Sequence, residues 1–236
     1  YWTLEGLFET KGKEKIQMFS TEEPRDEKIV EKILETGKRG SWTVTDVKES
    51  EQKRSPRAPF TTSSLQQTAS TRLGYSPKRT MQVAQKLYEQ GHITYMRTDS
   101  TNLSAQAQAQ ILALVEKKYG KEYAERHFYK TKSKNAQEAH EAIRPTHVER
   151  ASVGATEEQK KLYKLIWERA VSSQMTDAKL SKTKITANVE GEKDIPDFTA
   201  NGSRVLFPGW LRVDEDARGE DVELPKVAIG ETLKLI

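Results

Sequence analysis

The chain contains no cysteine. That excludes disulfides, thiolate metal sites and thiol nucleophiles within it, and it accords with a reducing compartment. Long apolar runs are also missing. No stretch approaches the roughly 18 residues a helix needs to cross a bilayer, and no secretory leader is recognisable, so no membrane partner is expected. Histidine is scarce, with four residues in the whole chain. His140 and His147 make a poor metal pair, because Pro145 interrupts any helix between them and no third ligand is evident. Internal repeats and low-complexity tracts are absent too. Neither sign of charge dominates: 39 Lys and Arg against 35 Asp and Glu leave +4, a mild preference for an anionic partner.

What is present is a polar but periodic sequence, 35% hydrophobic and 31% charged over 236 residues. The length suits one large domain or two modest ones. The first residues are Tyr1 and Trp2, and the last, Leu233 to Ile236, lie inside an apolar alternation. Both features lead to the expectation of a piece of a larger protein.

Residues 1–54 read as mostly β. Trp2, Leu4 and Phe8 alternate with more polar neighbours, Ile16 and Met18 resume the alternation, and Lys11 to Lys13 form a hairpin turn. A helix is predicted over 24–36, with Ile29, Val30, Ile33 and Leu34 on one face and Gly37 past its end. Ser41 to Val47 alternates again, and the charged, proline-containing stretch 49–59 reads as a linker or crossover. From there to about 178 the chain reads helical. Ser64 with Gln67 gives a capping-box pattern for a helix ending at Gly74. Ser76 and Pro77 start another, which stops at Gly91, and Ser104 caps one ending near Gly120. Asn135, three residues before Glu138, starts a short helix stopped by Arg144 and Pro145. Thr156 with Gln159 caps a long helix carrying Leu162, Leu165, Ile166 and Ala170. After 179 the period returns to two. The pattern predicts an α+β chain: a helical domain, 55–178, inserted into a mostly antiparallel β domain made of 1–54 and 179–236.

Between 53 and 97 stand Lys53, Arg54, Arg57, Arg72, Lys78, Arg79, Lys86 and Arg97, with Glu89 the one acid among them. Residues 61–72 are rich in Thr, Ser and Gln. Basic groups neutralise phosphate charge, and hydroxyls and helix N-termini bond phosphate oxygens. A solvated helical surface and a nucleic-acid groove are both compatible with this composition. Tyr75 and Tyr88 could stack on bases or belong to the core.

Tyr95 lies on the connector between the helix that stops at Gly91 and the one that starts near Ser104. A free phenol, with a pKa near 10, is a weak nucleophile. Attack on a phosphodiester needs a cation nearby and cations on the phosphate. Arg97 is two residues on, and in an extended segment both side chains point the same way. His140 and Arg144, four apart on the predicted short helix, would share a face. By spacing alone a buried structural role is favoured for Tyr95 and a surface or core role for His140. Asp214 to Asp216 reads as a solvated acidic turn.

Three ordered stretches carry a resemblance. Residues 93–104 (Ile-Thr-Tyr-Met-Arg-Thr-Asp-Ser-Thr-Asn-Leu-Ser) resemble the active-site segment of the bacterial type IA DNA topoisomerases. Residues 59–74 are similar to the family's segment upstream of the tyrosine, and Gln137 to Thr146 to a downstream motif. Lys161 to Trp167 and Gln174-Met175 also fit, and Met96 separates the chain from topoisomerase III-like enzymes. The resemblance implies that Tyr95 takes the 5′ phosphate of a cut single strand, with Arg97 positioning that phosphate. It implies a DNA-phosphate role for His140, and DNA-facing places for Gln85, Glu89, Thr94, Thr98, Asp99, Arg144 and Arg72. It further implies ATP-independent relaxation of negatively supercoiled DNA, in the bacterial cytoplasm on the nucleoid. Mg2+ and the general-acid glutamate and lysine would come from an N-terminal Toprim domain that has no counterpart here. No metal is therefore expected in this chain, and the chain by itself is expected to be inactive. Two other readings fit the residues: a noncatalytic module binding single-stranded DNA, and another tyrosine strand-transferase. The second lacks the expected His or Arg cluster.

Overall fold

The computed structural model describes residues 1–129 and 141–236. They form two compact units: residues 1–53, 179–206 and 220–236 in one, and 54–178 with 207–219 in the other.

The first unit is a closed barrel. Strands β1 (Glu5–Glu9) and β2 (Lys15–Ser20) make the expected antiparallel hairpin, with Phe8 opposite Ile16 and Gly6 opposite Met18. Phe8, Ile16 and Met18 are buried, as the period of two requires, whereas Trp2 precedes the strand and is exposed. Strands β3 (Trp42–Arg54), β4 (Ala178–Val189), β5 (Phe198–Phe207) and β6 (Thr232–Leu235) complete the order β1-β2-β5-β4-β3-β6. Closure leaves no unpaired sheet edge. At the centre Trp42 meets Phe8 and Phe198 edge-on, with ring centroids 4.9 and 5.0 Å away.

Two expectations change here. Helix α1 (Glu27–Arg39), capped by Asp26, buries Val30 and Ile33 but leaves Ile29 and Leu34 exposed. Gly37 does not end it. It lies within the helix because the Trp42 ring packs so close that a Cβ would sit 3.2 Å from it, and the Trp42 indole donates to the Gly37 carbonyl at 2.8 Å. The expected linker at 49–59 is also shorter, since residues 49–54 continue β3. Sheet hydrogen bonds satisfy the backbone whatever the side chain, so a run of exposed charged residues can still be strand.

The second unit is helical. Helices α2 (Thr62–Leu73), α3 (Pro77–Glu89), α4 (Ala105–Tyr119) and α5 (Glu157–Ser172) start at Thr61, Ser76, Ser104 and Thr156, and each cap's side chain accepts from the backbone N–H three residues on. For α2 the box is Thr61 with Ser64, one turn earlier than the expected Ser64 with Gln67. Leu162, Ile166 and Ala170 of α5 are fully buried against the other helices. Residues 207–219 join this unit rather than the barrel, forming short 3-10 turns at Gly209–Arg212 and Glu215–Ala217. Trp210 and Leu211 pack into the helical core, and the Trp210 indole donates to the Arg54 carbonyl at 2.8 Å.

The predicted short helix is corrected in part. Its start at Asn135 and its His140 lie outside the described residues. Its end is extended: Ile143 pairs with Phe60 and Pro145 with Ile93 in isolated antiparallel bridges.

Candidate active site

The tyrosine connector is tied on both sides. The Thr94 N–H donates to the Arg144 carbonyl at 2.9 Å, and the Thr146 N–H to the His92 carbonyl at 3.1 Å. The Ala142 N–H reaches the Asn102 carbonyl at 2.8 Å. On the other side stands Thr62, in the first turn of α2. Its N–H donates to the Thr98 carbonyl at 2.9 Å, its hydroxyl donates to the Met96 carbonyl at 2.7 Å, and the same hydroxyl accepts the Thr98 N–H at 2.9 Å. One side chain thus fixes both peptides that flank Arg97.

The consequence is an alternation. Met96, Thr98 and Ser100 are buried, while Tyr95, Arg97 and Asp99 are exposed. Tyr95 is 42% exposed and its ring meets Tyr88 of α3 edge-on at 5.3 Å. Arg97 reaches a groove along α3 lined also by Lys78, Gln82, Gln85, Lys86 and Glu89. The Gln85 amide donates to the Glu89 carboxylate at 2.8 Å. Lys78, Lys86 and Arg97 form no ion pair with a described residue, so positive charge exceeds the single carboxylate of Glu89 in this groove, while the Tyr95 phenol is exposed.

The decisive comparison is with families. A family model described as DNA topoisomerase matches residues 1–236. The chain belongs to that family. The DNA topoisomerase 1 of Synechocystis is 44% identical over 209 residues, covering 83% of this chain and 23% of that protein. That of Pasteurella multocida is 38% identical, covering 100% and 28%. The solved structure of full-length topoisomerase I from Thermotoga maritima superposes with a TM-score of 0.76 at 29% identity, covering all of this chain and 40% of that one. The chain therefore spans about a quarter of the length of the curated relatives it matches.

Within this topoisomerase segment the other candidates divide. Thr94 and Thr98, expected near DNA, are engaged internally. The Thr94 hydroxyl donates to the Ala142 carbonyl at 2.7 Å and accepts from the Arg144 N–H at 3.0 Å; the Thr98 hydroxyl accepts from the Ser100 N–H at 3.1 Å. Arg144 is bound to Glu141 at 2.6 Å and to the Pro145 carbonyl at 3.0 Å. Burial would raise the Glu141 carboxyl, but hydrogen bonds from Arg144 and Ser104 and the charge of Arg144 outweigh it and hold it below the usual range. Arg72 forms a bidentate pair with Asp214 at 2.7 and 3.3 Å. Asp214 is 1% exposed, so of the expected solvated acidic turn only Glu215 and Asp216 are exposed. The hydroxyl-rich run 61–72 likewise serves the fold first, through the Thr61 and Ser64 cap and the Thr62 clamp. Tyr75 is half-buried against the core.

Thr62 was not among the sequence candidates. Its signal was its place just after a helix cap, in a run whose hydroxyls all looked alike. Among the described residues no group of three or more His, Cys, Asp or Glu could hold a metal ion. No described helix is long and apolar enough to cross a membrane.

Proposed function

We propose that this chain carries the strand-cleaving nucleophile of a type IA DNA topoisomerase. The Tyr95 phenol gives up its proton as its oxygen attacks a single-strand phosphodiester, the bond from phosphorus to the 3′ oxygen breaks, and that oxygen takes up a proton and leaves as a hydroxyl, so protons balance over the step. The phosphate stays on Tyr95 as a 5′-phosphotyrosine. Attack by the freed 3′ hydroxyl reverses the step, so the bond energy is conserved and ATP is not needed. Arg97 orients the phosphate and stabilises its developing charge. Lys78 and Lys86 attract the strand, and Asp99, Gln85 and Glu89 line its approach.

One observation carries this reading. A tethered segment exposes Tyr95, Arg97 and Asp99 and buries the residues between them. A structural tyrosine would instead be buried with its hydroxyl satisfied, as Tyr163 is, donating to the Arg150 carbonyl at 2.6 Å. Thr94 and Thr98 hold the segment, and Arg72 holds the fold. The magnesium and acid groups of the reaction belong to a Toprim domain outside this chain, and no step assigned to these residues runs through the metal. Single-stranded DNA and negatively supercoiled duplex are the proposed substrates.

The test uses this segment exchanged into a full-length relative and an oligonucleotide labelled at its 3′ end, on the side of the cut that stays with the protein. Denaturant quenching is expected to trap label on the protein, and Tyr95→Phe to abolish it. Label retained on the Tyr95→Phe protein would assign the nucleophile elsewhere. Binding without any adduct in the unaltered chimera would favour a noncatalytic module.

A further inference from the structure

On the proposed reading Tyr95 must present its oxygen to a phosphate from an exposed position. Among the described residues its hydroxyl makes no hydrogen bond, and its ring contact is with Tyr88, at 5.3 Å between centroids and 68° between planes. Tyr88 is 40% exposed, so this is not two core rings meeting by default.

The two rings differ in how they are mounted. Tyr88 stands in the last turn of α3, next to the fully buried Leu87. The helix end there is closed by the Gly91 N–H donating to the Tyr88 carbonyl at 2.8 Å and the His92 N–H donating to the Leu87 carbonyl at 2.9 Å. Tyr95 stands on an extended connector, where its side chain has staggered alternatives in open solvent. A ring fixed to a closed helix end therefore meets edge-on a ring that is 42% exposed on the connector.

The geometry points to Tyr88 as a positioning residue: its ring holds the Tyr95 side chain in the orientation that presents the phenol oxygen to the strand. Tyr88 is not placed among the groups that touch the reacting atoms. It acts through the population of the competent Tyr95 rotamer, so it should affect the rate of attack and leave strand affinity alone.

The same chimera tests this, by single-turnover adduct formation at saturating oligonucleotide and separately by equilibrium binding. Tyr88→Leu is expected to slow adduct formation by about three- to tenfold, a range set by the typical strength of an edge-to-face ring pair, while the Kd changes less than about twofold. Tyr88→Gln, a good helix former without a ring, gives the same loss and guards against a folding artefact. Tyr88→Phe keeps the ring and restores the rate. An unchanged rate in both ringless variants overturns the inference. So does weaker binding at an unchanged rate, which would make Tyr88 a base-stacking contact. A Tyr88→Phe variant as slow as Tyr88→Leu would assign the effect to the hydroxyl and overturn it too. These outcomes are separate from the nucleophile assignment, which stands or falls on Tyr95→Phe in the same assay.

Discussion

Glu168, on α5, has Lys164 at 3.5 Å, and Asp214 and Asp216 add negative charge around it. Burial, reinforced by these two aspartates and only partly offset by Lys164, pushes its carboxyl up to about 7. The folded chain therefore holds this proton where the unfolded chain has released it. Stability from this group is full below the unfolded value of 4.5 and is lost as pH rises through about 7. The loss amounts to about 2–3 kcal/mol between pH 5 and pH 8 on linkage grounds. Glu168→Gln, which stays neutral, should remove this part of the pH dependence and leave the protein more stable than wild type at pH 8. Urea denaturation at both pH values checks it, and an equally steep pH dependence in the variant would refute it. The neighbouring Arg72 and Asp214 pair shows what spacing cannot reveal. The two residues stand 142 positions apart, and nothing local to either marks Arg72 as structural or Asp214 as buried.

Elements were legible wherever a local rule decides them. The starts at Ser76, Ser104 and Thr156 follow from side-chain oxygens that satisfy free helix N–H groups, and the hairpin at 10–14 follows from alternation on both sides of a turn. Gly37 misled because a glycine ends a helix for one reason and admits a tryptophan ring for another, and only the packing distinguishes them. Residues 49–54 misled because strand hydrogen bonds leave no trace in exposed, charged side chains. The clamp between α2 and the tyrosine connector belongs to this scale. Thr62→Val keeps the shape but leaves the Thr98 N–H and the Met96 carbonyl without their side-chain partner. A cost of about 1–3 kcal/mol is expected for such unmade bonds. Because the freed peptides flank Arg97, adduct formation should fall by more than DNA affinity does. Thermal melting and the two-part assay measure these together; a destabilised variant that cleaves at the wild-type rate would show that the clamp serves stability alone.

At the scale of the molecule, the chain has a barrel unit and a helical unit, and the alternation of the sequence between β, helical and β patterns announces both. The boundary near 207–219 was not announced, because Phe207, Trp210, Leu211 and Val213 are apolar without the period of a strand or a long helix. The site follows the same division. The family's motif singles out Tyr95 and Arg97 as the proposed attacking residues, whereas the Toprim residues that the resemblance implies lie outside the sequence. The groove supplies positive charge and Tyr95 an exposed phenol, but the described residues gather no group of three or more acidic or histidine side chains that could hold a metal. Cleavage needs a proton delivered to the departing 3′ oxygen and charge stabilised on its side of the phosphate, and the named site residues supply only the attacking side. The 236-residue chain alone is therefore expected to bind single-stranded oligonucleotides weakly, with a salt dependence set by Lys78, Lys86 and Arg97. It is expected not to relax negatively supercoiled plasmid in magnesium. Adding the N-terminal part of a relative should restore relaxation, and Tyr95→Phe should remove it again. Relaxation by the purified chain alone, lost on Tyr95→Phe, would mean that this chain completes both sides of the phosphate by itself and would overturn the division of the site argued from its residues.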